Sequence, residues 1–406
     1  GITVSNAILF PPYGEFVASR VDSEGGNILS RWEHRFSKTS ELAVQVSYDH
    51  TMMDHPILKE TRDTIDFDFQ HRFSLTGKNE LTWGAAYRNT SDDITNRLIS
   101  VFPDSVRMER YSAFVQDRLT LVEDMAWLTL GTKFEKNEFT DLELQPSGRL
   151  LVKPNDKHTL WASVSRAVRT MSRGERGFHY NTSVQPPGSP RNPGRAPLAI
   201  QVRGNDDLEP EEVIAYELGY RIRALENLYL DVAGYYNDYD KVLSDYALPP
   251  EMAMRPIPHM VLPLNASNDD EAEIYGFEVA ADWQPLEWWK LKGAYTWFKA
   301  EREQDIRGLV GSSPRNQVSL RSSMDFSKHV EWDIWFRYVD ELPELGVDDY
   351  VTLDTRLAWQ PTPDWELSIV GQNLIESTHL ENDPFSWPTV PTEVERSIYL
   401  KVIRHF

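Results

Sequence analysis

Side chains alternate in character with a period of two along most of this chain, and few folds accommodate that over such a length. A strand whose successive residues face opposite ways alternates only when its two faces meet different surroundings. In 61–73, Ile65, Phe67, Phe69 and Phe73 share one face, while Asp66, Asp68, Gln70 and Arg72 share the other. Leu42, Val44, Val46 and Tyr48 likewise oppose Gln45, Ser47 and Asp49, and Val351, Leu353, Leu357 and Trp359 oppose Thr352, Asp354 and Arg356. Seventeen segments read this way: 26–36, 41–53, 61–74, 80–89, 108–121, 126–138, 144–152, 158–168, 212–223, 228–241, 273–284, 288–301, 314–326, 331–340, 349–360, 365–378 and 395–406. Many are longer than the roughly 5–6 residues usual in soluble sheets.

The connections alternate too. Ser37-Lys-Thr-Ser40, Thr76-Gly-Lys-Asn79, Lys153-Pro-Asn-Asp156 and Pro361-Thr-Pro-Asp364 are short and rich in turn residues, whereas 169–211 and 242–272 are long. Short turns at one rim and long loops at the other are the habit of an antiparallel membrane barrel, and a sandwich or propeller has no reason to keep that parity. Trp83, Tyr87, Trp127, Trp283, Trp288, Trp289, Trp297 and Trp365 recur near strand ends, as interfacial girdles require. The pattern predicts an all-β, up-and-down transmembrane barrel with almost no helix. Ile65, Phe67, Phe69, Leu353, Leu357, Leu400 and Val402 should face lipid, and Asp66, Asp68, Asp354 and Arg356 the lumen.

Composition narrows the function. With 406 residues and a formal net charge of −21, the chain lacks the clustered cations that a nucleic-acid partner needs. It has no cysteine, which rules out disulfides and thiolate metal sites. No apolar run is long enough for a transmembrane helix. A mean hydropathy of −0.49 does not argue against a barrel, in which every second residue faces water. The chain begins at Gly1, and residues 1–16 lack the basic-then-apolar layout of a signal peptide, so the expectation is an internal or truncated piece of a longer precursor.

Several stretches resemble the TonB-dependent outer-membrane receptor family. They are Gln145-Pro-Ser-Gly-Arg-Leu150 with Lys153-Pro-Asn and His158-Thr-Leu-Trp-Ala-Ser-Val-Ser-Arg-Ala-Val-Arg169, then Leu208-Glu-Pro-Glu-Glu-Val-Ile-Ala-Tyr-Glu-Leu-Gly-Tyr220, Tyr275-Gly-Phe-Glu278 and Gly371-Gln-Asn-Leu374. Met171 departs from the proline usual after the Arg-Thr pair. The last strand, Arg396 to Phe406, resembles the closing strand of such barrels, with Leu400, Val402 and the terminal Phe406 as the signal read by the barrel-assembly machinery. The resemblance implies a receptor in the cell outer membrane that imports a scarce nutrient when energised through the TonB complex. The default substrate is a ferric siderophore, with cobalamin, haem or a saccharide as alternatives. It also implies a plug domain and a barrel of twenty-two strands, of which this chain would carry all but the plug and five strands. Residues 1–25 would then be the tail of an extracellular loop and 26–406 the C-terminal part of the barrel. Alone, such a sheet should close imperfectly or stay open, with 26–36 and 395–406 as its edges.

No catalytic constellation stands out, and the reading is of a binding and transport protein without a cofactor. The ten His are scattered, with no H-E-x-x-H and no nucleotide-phosphate loop. Acidic clusters at 205–207, 268–271 and 348–349 read as solvated carboxylates before they read as Ca²⁺ ligands. One region reverses the overall charge: residues 166–203 hold Arg166, Arg169, Arg173, Arg176, Arg191, Arg195 and Arg203 against Glu175 alone, together with Phe178, His179 and Tyr180. Guanidinium forks bind oxyanions bidentately and aromatic faces stack on flat ligands, which suits an anionic iron chelate. Contact with lipopolysaccharide phosphates, or pairing with neighbouring acidic loops, would use the same residues. Three rivals stay open: a passive porin, an outer-membrane enzyme with a Ser/His/carboxylate cluster at one rim, and a soluble multi-strand module.

Overall fold

The computed structural model describes residues 2–303, 310–383 and 390–404. Its main sheet holds twenty-one strands, of which Ser100–Val101, Phe178–Gln185, Leu198–Arg203 and Glu251–Ala253 are short pieces in the loops. The remaining strands form the wall, from Asp22–Ser37 to Ser397–Arg404, one for each alternating segment of the sequence. Each wall strand pairs antiparallel with the next, as in Asp22–Ser37 with Ser40–Asp54 and Trp365–Gln372 with Ser397–Arg404. The fold is an all-β antiparallel barrel sheet, 75% strand and 3% helix.

One rim is built from tight hairpins, closed by pairs such as Ser37↔Ser40, Thr76↔Asn79, Asn155↔His158 and Thr362↔Trp365. Neighbouring hairpins there are tied through backbone carbonyls: Ser74 N–H donates to Thr39, Thr120 N–H to Lys78 and Lys153 N–H to Met125. The other rim carries the long connections, apart from the tight Asn137↔Thr140 hairpin and the short connection 55–57.

Side-chain alternation sorts the wall as expected. Ile65, Phe67, Leu357, Leu400 and Val402 are exposed on the outer face, and Phe69 and Leu353 on the same face are half-buried. On the inner face, Arg356 pairs with Glu331 at 2.9 Å, Asp333 at 3.1 Å and Glu366 at 2.6 Å, Arg337 with Asp354 at 2.9 Å and Arg88 with Asp66 at 2.8 Å. Two outer aromatic levels bracket the apolar band. Near the tight turns, Trp288 lies against Phe326 at a tilt with ring centres 5.5 Å apart, and Phe326 against Trp332 at 6.4 Å. Toward the long loops, Tyr216, Tyr236, Tyr275 and Trp297 form a chain at 5.9–6.4 Å. From Tyr275 to Trp283 the backbone climbs about 27 Å, or about 20 Å vertically at a tilt of about 40°, close to the height of a membrane-facing band. Tyrosine hydroxyls at the upper level donate to carboxylates, Tyr48 to Asp63 at 2.6 Å, Tyr87 to Glu109 at 2.9 Å and Tyr275 to Glu301 at 3.0 Å. A ring in lipid with its hydroxyl turned to a charged, wet neighbour is the usual interfacial arrangement.

Two resemblance motifs acquire a physical reason here. Trp161 and Gly219 are cross-strand partners, and a Cβ on Gly219 would lie 2.2 Å from the Trp161 ring, so only glycine lets that ring lie flat on the wall. Asn373 ends the strand Trp365–Gln372 in a left-handed turn at φ 51°, its N–H on Asp354 at 2.9 Å and its side-chain amide on the Val394 carbonyl at 3.1 Å.

Three expectations need correction or completion. The segment 242–272 is mostly strand, because Leu228–Ala247 and His259–Leu286 rise far above the neighbouring wall as one tall hairpin. Burial alternates there too, at His259, Val261 and Pro263, but the proline disguises the run. Residues 2–19 form a hairpin, Ile2–Ala7 with Gly14–Ser19, whose Val4 is buried against Ile57, Ile94, Ile99, Val101 and Tyr180. The strand order closes into a barrel that sets the last wall strand beside the first. Yet registered pairs join Asp22–Ser37 only to Ser40–Asp54, and Ser397–Arg404 only to Trp365–Gln372. Every residue of Asp22–Ser37 is exposed on both faces, the state of a strand with one neighbour, so among the described residues the seam is unlaced. Phe406 lies outside the described residues, while Leu400 and Val402 stand on the outer face beside Ile369 and Leu367.

Candidate functional site

The arginine-rich segment forms a strap, residues 170–210, on the long-loop rim between the wall strands His158–Arg169 and Glu211–Leu225. It opens with a short helix, Arg173–Gly177, closed by a capping box: the Ser172 hydroxyl accepts from the Glu175 N–H at 3.2 Å, and Glu175 accepts from the Ser172 N–H at 2.7 Å. A hairpin follows, Phe178–Gln185 with Leu198–Arg203. Its first strand pairs with Ser100–Val101, and its second runs parallel to the tall hairpin, Leu198 beside Met260 and Arg203 beside Asn265. The strap therefore ties together two parts of the rim that lie well apart along the wall.

Most of its guanidinium groups are already engaged. Arg173 is buried, paired with the buried Asp92 at 3.1 Å and donating to the Pro103 carbonyl. Arg166 bridges Glu143 at 3.2 Å and Glu212 at 2.7 Å. Arg169 bridges Glu175 at 2.8 Å and Glu211 at 2.5 Å, and Arg203 pairs with Glu251. Arg176 donates to the Leu208 carbonyl at 2.8 Å and lies 5.1 Å over the Phe139 ring. Burial pushes the Glu175 carboxyl up, but the Ser172 bonds and Arg169 outweigh it and hold the group below the usual carboxylate range.

The aromatic members divide as well. Tyr180 is buried in the cluster under the rim, where burial pushes its hydroxyl up, and Phe178 packs against the same cluster. His179 is exposed, edge-on to the exposed Phe102 with ring centres 5.6 Å apart. Desolvation by the packed loop and then the Arg203 charge hold its imidazole below the ordinary range, so it is neutral at neutral pH.

Arg191 and Arg195 differ from the rest. Both are exposed at the tip of the strap hairpin, and among the described residues neither has a hydrogen bond or ion pair. Between them the buried Asn192 staples the tip, its amide donating to the carbonyls of Gln185 at 3.0 Å and Ala196 at 2.8 Å. Gly188, at φ 75°, provides the left-handed turn, and its N–H donates to the Gly194 carbonyl at 3.0 Å. The two guanidinium groups are thus presented on a braced turn, while the His179–Phe102 pair lies at the hairpin's base. The structure does not gather the predicted residues into one pocket.

Sequence reasoning missed the acids that answer the arginines. Glu211 and Glu212, which follow the strap immediately, were a readable signal of charge complementarity, whereas Asp92 and Glu251 are remote and were not. It also missed Phe102 and Phe139, which sit in short loops without any pattern.

Residues 8–374 match the family described as TonB dependent receptor-like, beta-barrel. This chain belongs to that family, whose barrels lie in the outer membrane. Among curated proteins, the probable TonB-dependent siderophore receptor PirA of Acinetobacter baumannii is 28% identical over 134 residues, 33% of this chain and 17% of that protein. Among solved structures, the siderophore receptor PirA of Acinetobacter baumannii superposes with a TM-score of 0.72 at 14% identity, over 95% of this chain and 63% of that one. The ferric enterobactin receptor PfeA of Pseudomonas aeruginosa gives 0.72 at 13% identity, over 95% and 62%. The chain thus spans less than two thirds of these relatives, and at such identities the superpositions show the fold alone. No helix among the described residues is long and apolar enough to cross a membrane, and the strands supply the barrel.

Proposed function

We propose that this chain is the C-terminal barrel portion of an outer-membrane receptor that takes up a ferric siderophore under the drive of TonB. In this reading the strap faces the outside, 26–406 forms the barrel part, and 1–25 is the end of an extracellular loop. An upstream region supplies the plug, the TonB contact and the first strands. The two edge strands, Asp22–Ser37 and Ser397–Arg404, both run toward the tight-turn rim, so an antiparallel wall between them requires an odd number of further strands. Five would complete twenty-two. Lipid and lipopolysaccharide surround the outer face, the barrel-assembly machinery inserts the chain, and uptake involves binding and movement without bond chemistry.

The observation that carries the ligand reading is the braced, exposed pair Arg191 and Arg195, without a partner among the described residues, on an otherwise acidic protein. Two free guanidinium forks on a rigid turn suit an anionic chelate, whereas the engaged Arg166, Arg169, Arg173 and Arg203 hold the rim together. In the full-length receptor, Arg191→Ala with Arg195→Ala should weaken uptake of an anionic ferric chelate at unchanged surface abundance. The loss should be greater at low salt, since exposed charges are screened within about 8 Å at physiological ionic strength. Unchanged uptake of every anionic iron source by that variant would refute the assignment.

A further inference from the structure

We propose that the thioethers of Met252, Met254 and Met260, at the tip of the tall hairpin, form a site for a soft monovalent metal ion, copper(I). The chain has nine methionines, and three of them fall in this short stretch. Methionine ordinarily fills cores, yet Met252 is 60% and Met254 67% exposed, and Met260 is half-buried. Their placement is specific. Met252 and Met260 are direct cross-strand partners, which sets their side chains on one face with Cβ atoms about 4.5–5.5 Å apart. Met254 follows two residues after Met252, where the strand Glu251–Ala253 gives way to the turn.

The frame beneath is fixed. The Met260 N–H donates to the Pro197 carbonyl at 2.8 Å, and Met260 is in parallel register with Leu198 of the strap. The harder donors nearby are used elsewhere or turned away. Glu251 is held by Arg203, and His259, opposite Ala253, belongs to the other face and is buried with its Nδ1 at 2.7 Å from the Ile257 carbonyl. The face shared by Met252 and Met260 carries neutral, flexible, polarisable sulfurs, and the exposed Met254 follows directly on the strand. Soft thioether donors favour copper(I), and hard oxygen-seeking cations gain nothing from them. The site does not depend on the chelate reading, since it binds the bare ion through its own ligands.

The test uses the purified full-length receptor in detergent, titrated anaerobically with copper(I) against a coloured copper(I) chelator, and with silver(I) as a second probe. The wild type should withdraw one ion per chain from the chelator. Met252→Leu with Met254→Leu and Met260→Leu should abolish that withdrawal, while Met52→Leu with Met53→Leu should keep it. Leucine for methionine conserves volume, so the wall should assemble normally. Met252→Leu alone, at an exposed position, gives a second variant in which folding is not at issue, and it should weaken the competition with the chelator. No stoichiometric copper(I) uptake by the wild type, or equal uptake by the triple variant, would overturn the proposal.

Discussion

Phe67 in the wall finds its cross-strand partners at Val46 and Tyr87, in the strands immediately before and after its own. Arg173 in the strap finds its partner at Asp92, across the rim and far back in the chain. The wall is stitched by repeated backbone pairing between sequence neighbours, with outer side chains set by what lipid accepts. The strap is held by a few buried or half-buried ion pairs between distant segments. The contrast indicates where each kind of change should be felt: the wall responds to side-chain character on one face, and the strap to the removal of single partners.

Arg173→Ala should have the largest local effect. It leaves Asp92 buried without its cation, and breaking a buried pair from one side costs roughly 3–5 kcal/mol. The expected outcome is faster protease cleavage within 170–210 in the full-length protein, with the barrel still assembled. Failure of the whole barrel to assemble would erase the distinction between strap and wall.

Phe67→Arg should do the reverse. A cation on the lipid face near mid-membrane costs about 2–4 kcal/mol, so assembled barrel should fall while Asp68→Asn, one residue on and facing inward, leaves it nearly unchanged. Equal assembly of the two variants would count against the assignment of faces.

The smallest effect is a pH dependence of the strap alone. Because the Glu175 carboxyl is held below its ordinary range, its contribution is fully present above the unfolded value, about 4.3. It is lost as pH falls through the folded value, so acid should loosen the helix Arg173–Gly177. Glu175→Ala, which removes the acceptor for the Ser172 N–H and for Arg169, should already show that looser state at neutral pH, by about 1 kcal/mol, and respond little to acid. Amide exchange at residues 172–177 reads both. Identical profiles for the two proteins would show that the capping box does not hold the strap.

The wall was legible because its signal is local and repeated. Asp66 and Phe67 announce opposite faces by themselves, and Thr76-Gly-Lys-Asn79 announces its turn. The tall hairpin was only half legible, since Pro263 breaks the look of a strand whose burial still alternates. The strap was legible as a concentration of charge and illegible as a structure. Nothing near Arg173 names Asp92, and nothing in Arg191 and Arg195 says that these two, of seven similar residues, go unpartnered. Ion pairs between distant segments depend on how the wall brings those segments together at the rim, which the sequence expresses only through the whole fold.

The most direct test of the account is which rim faces the outside. The chain contains no cysteine, so a single introduced thiol is a unique reporter within it. In the full-length receptor on intact cells, a membrane-impermeant thiol reagent should label Arg191→Cys at the strap tip. It should label Lys38→Cys in the Ser37–Ser40 turn only after the envelope is opened. Labelling of Lys38→Cys on intact cells, with Arg191→Cys protected, would contradict the receptor reading at its root.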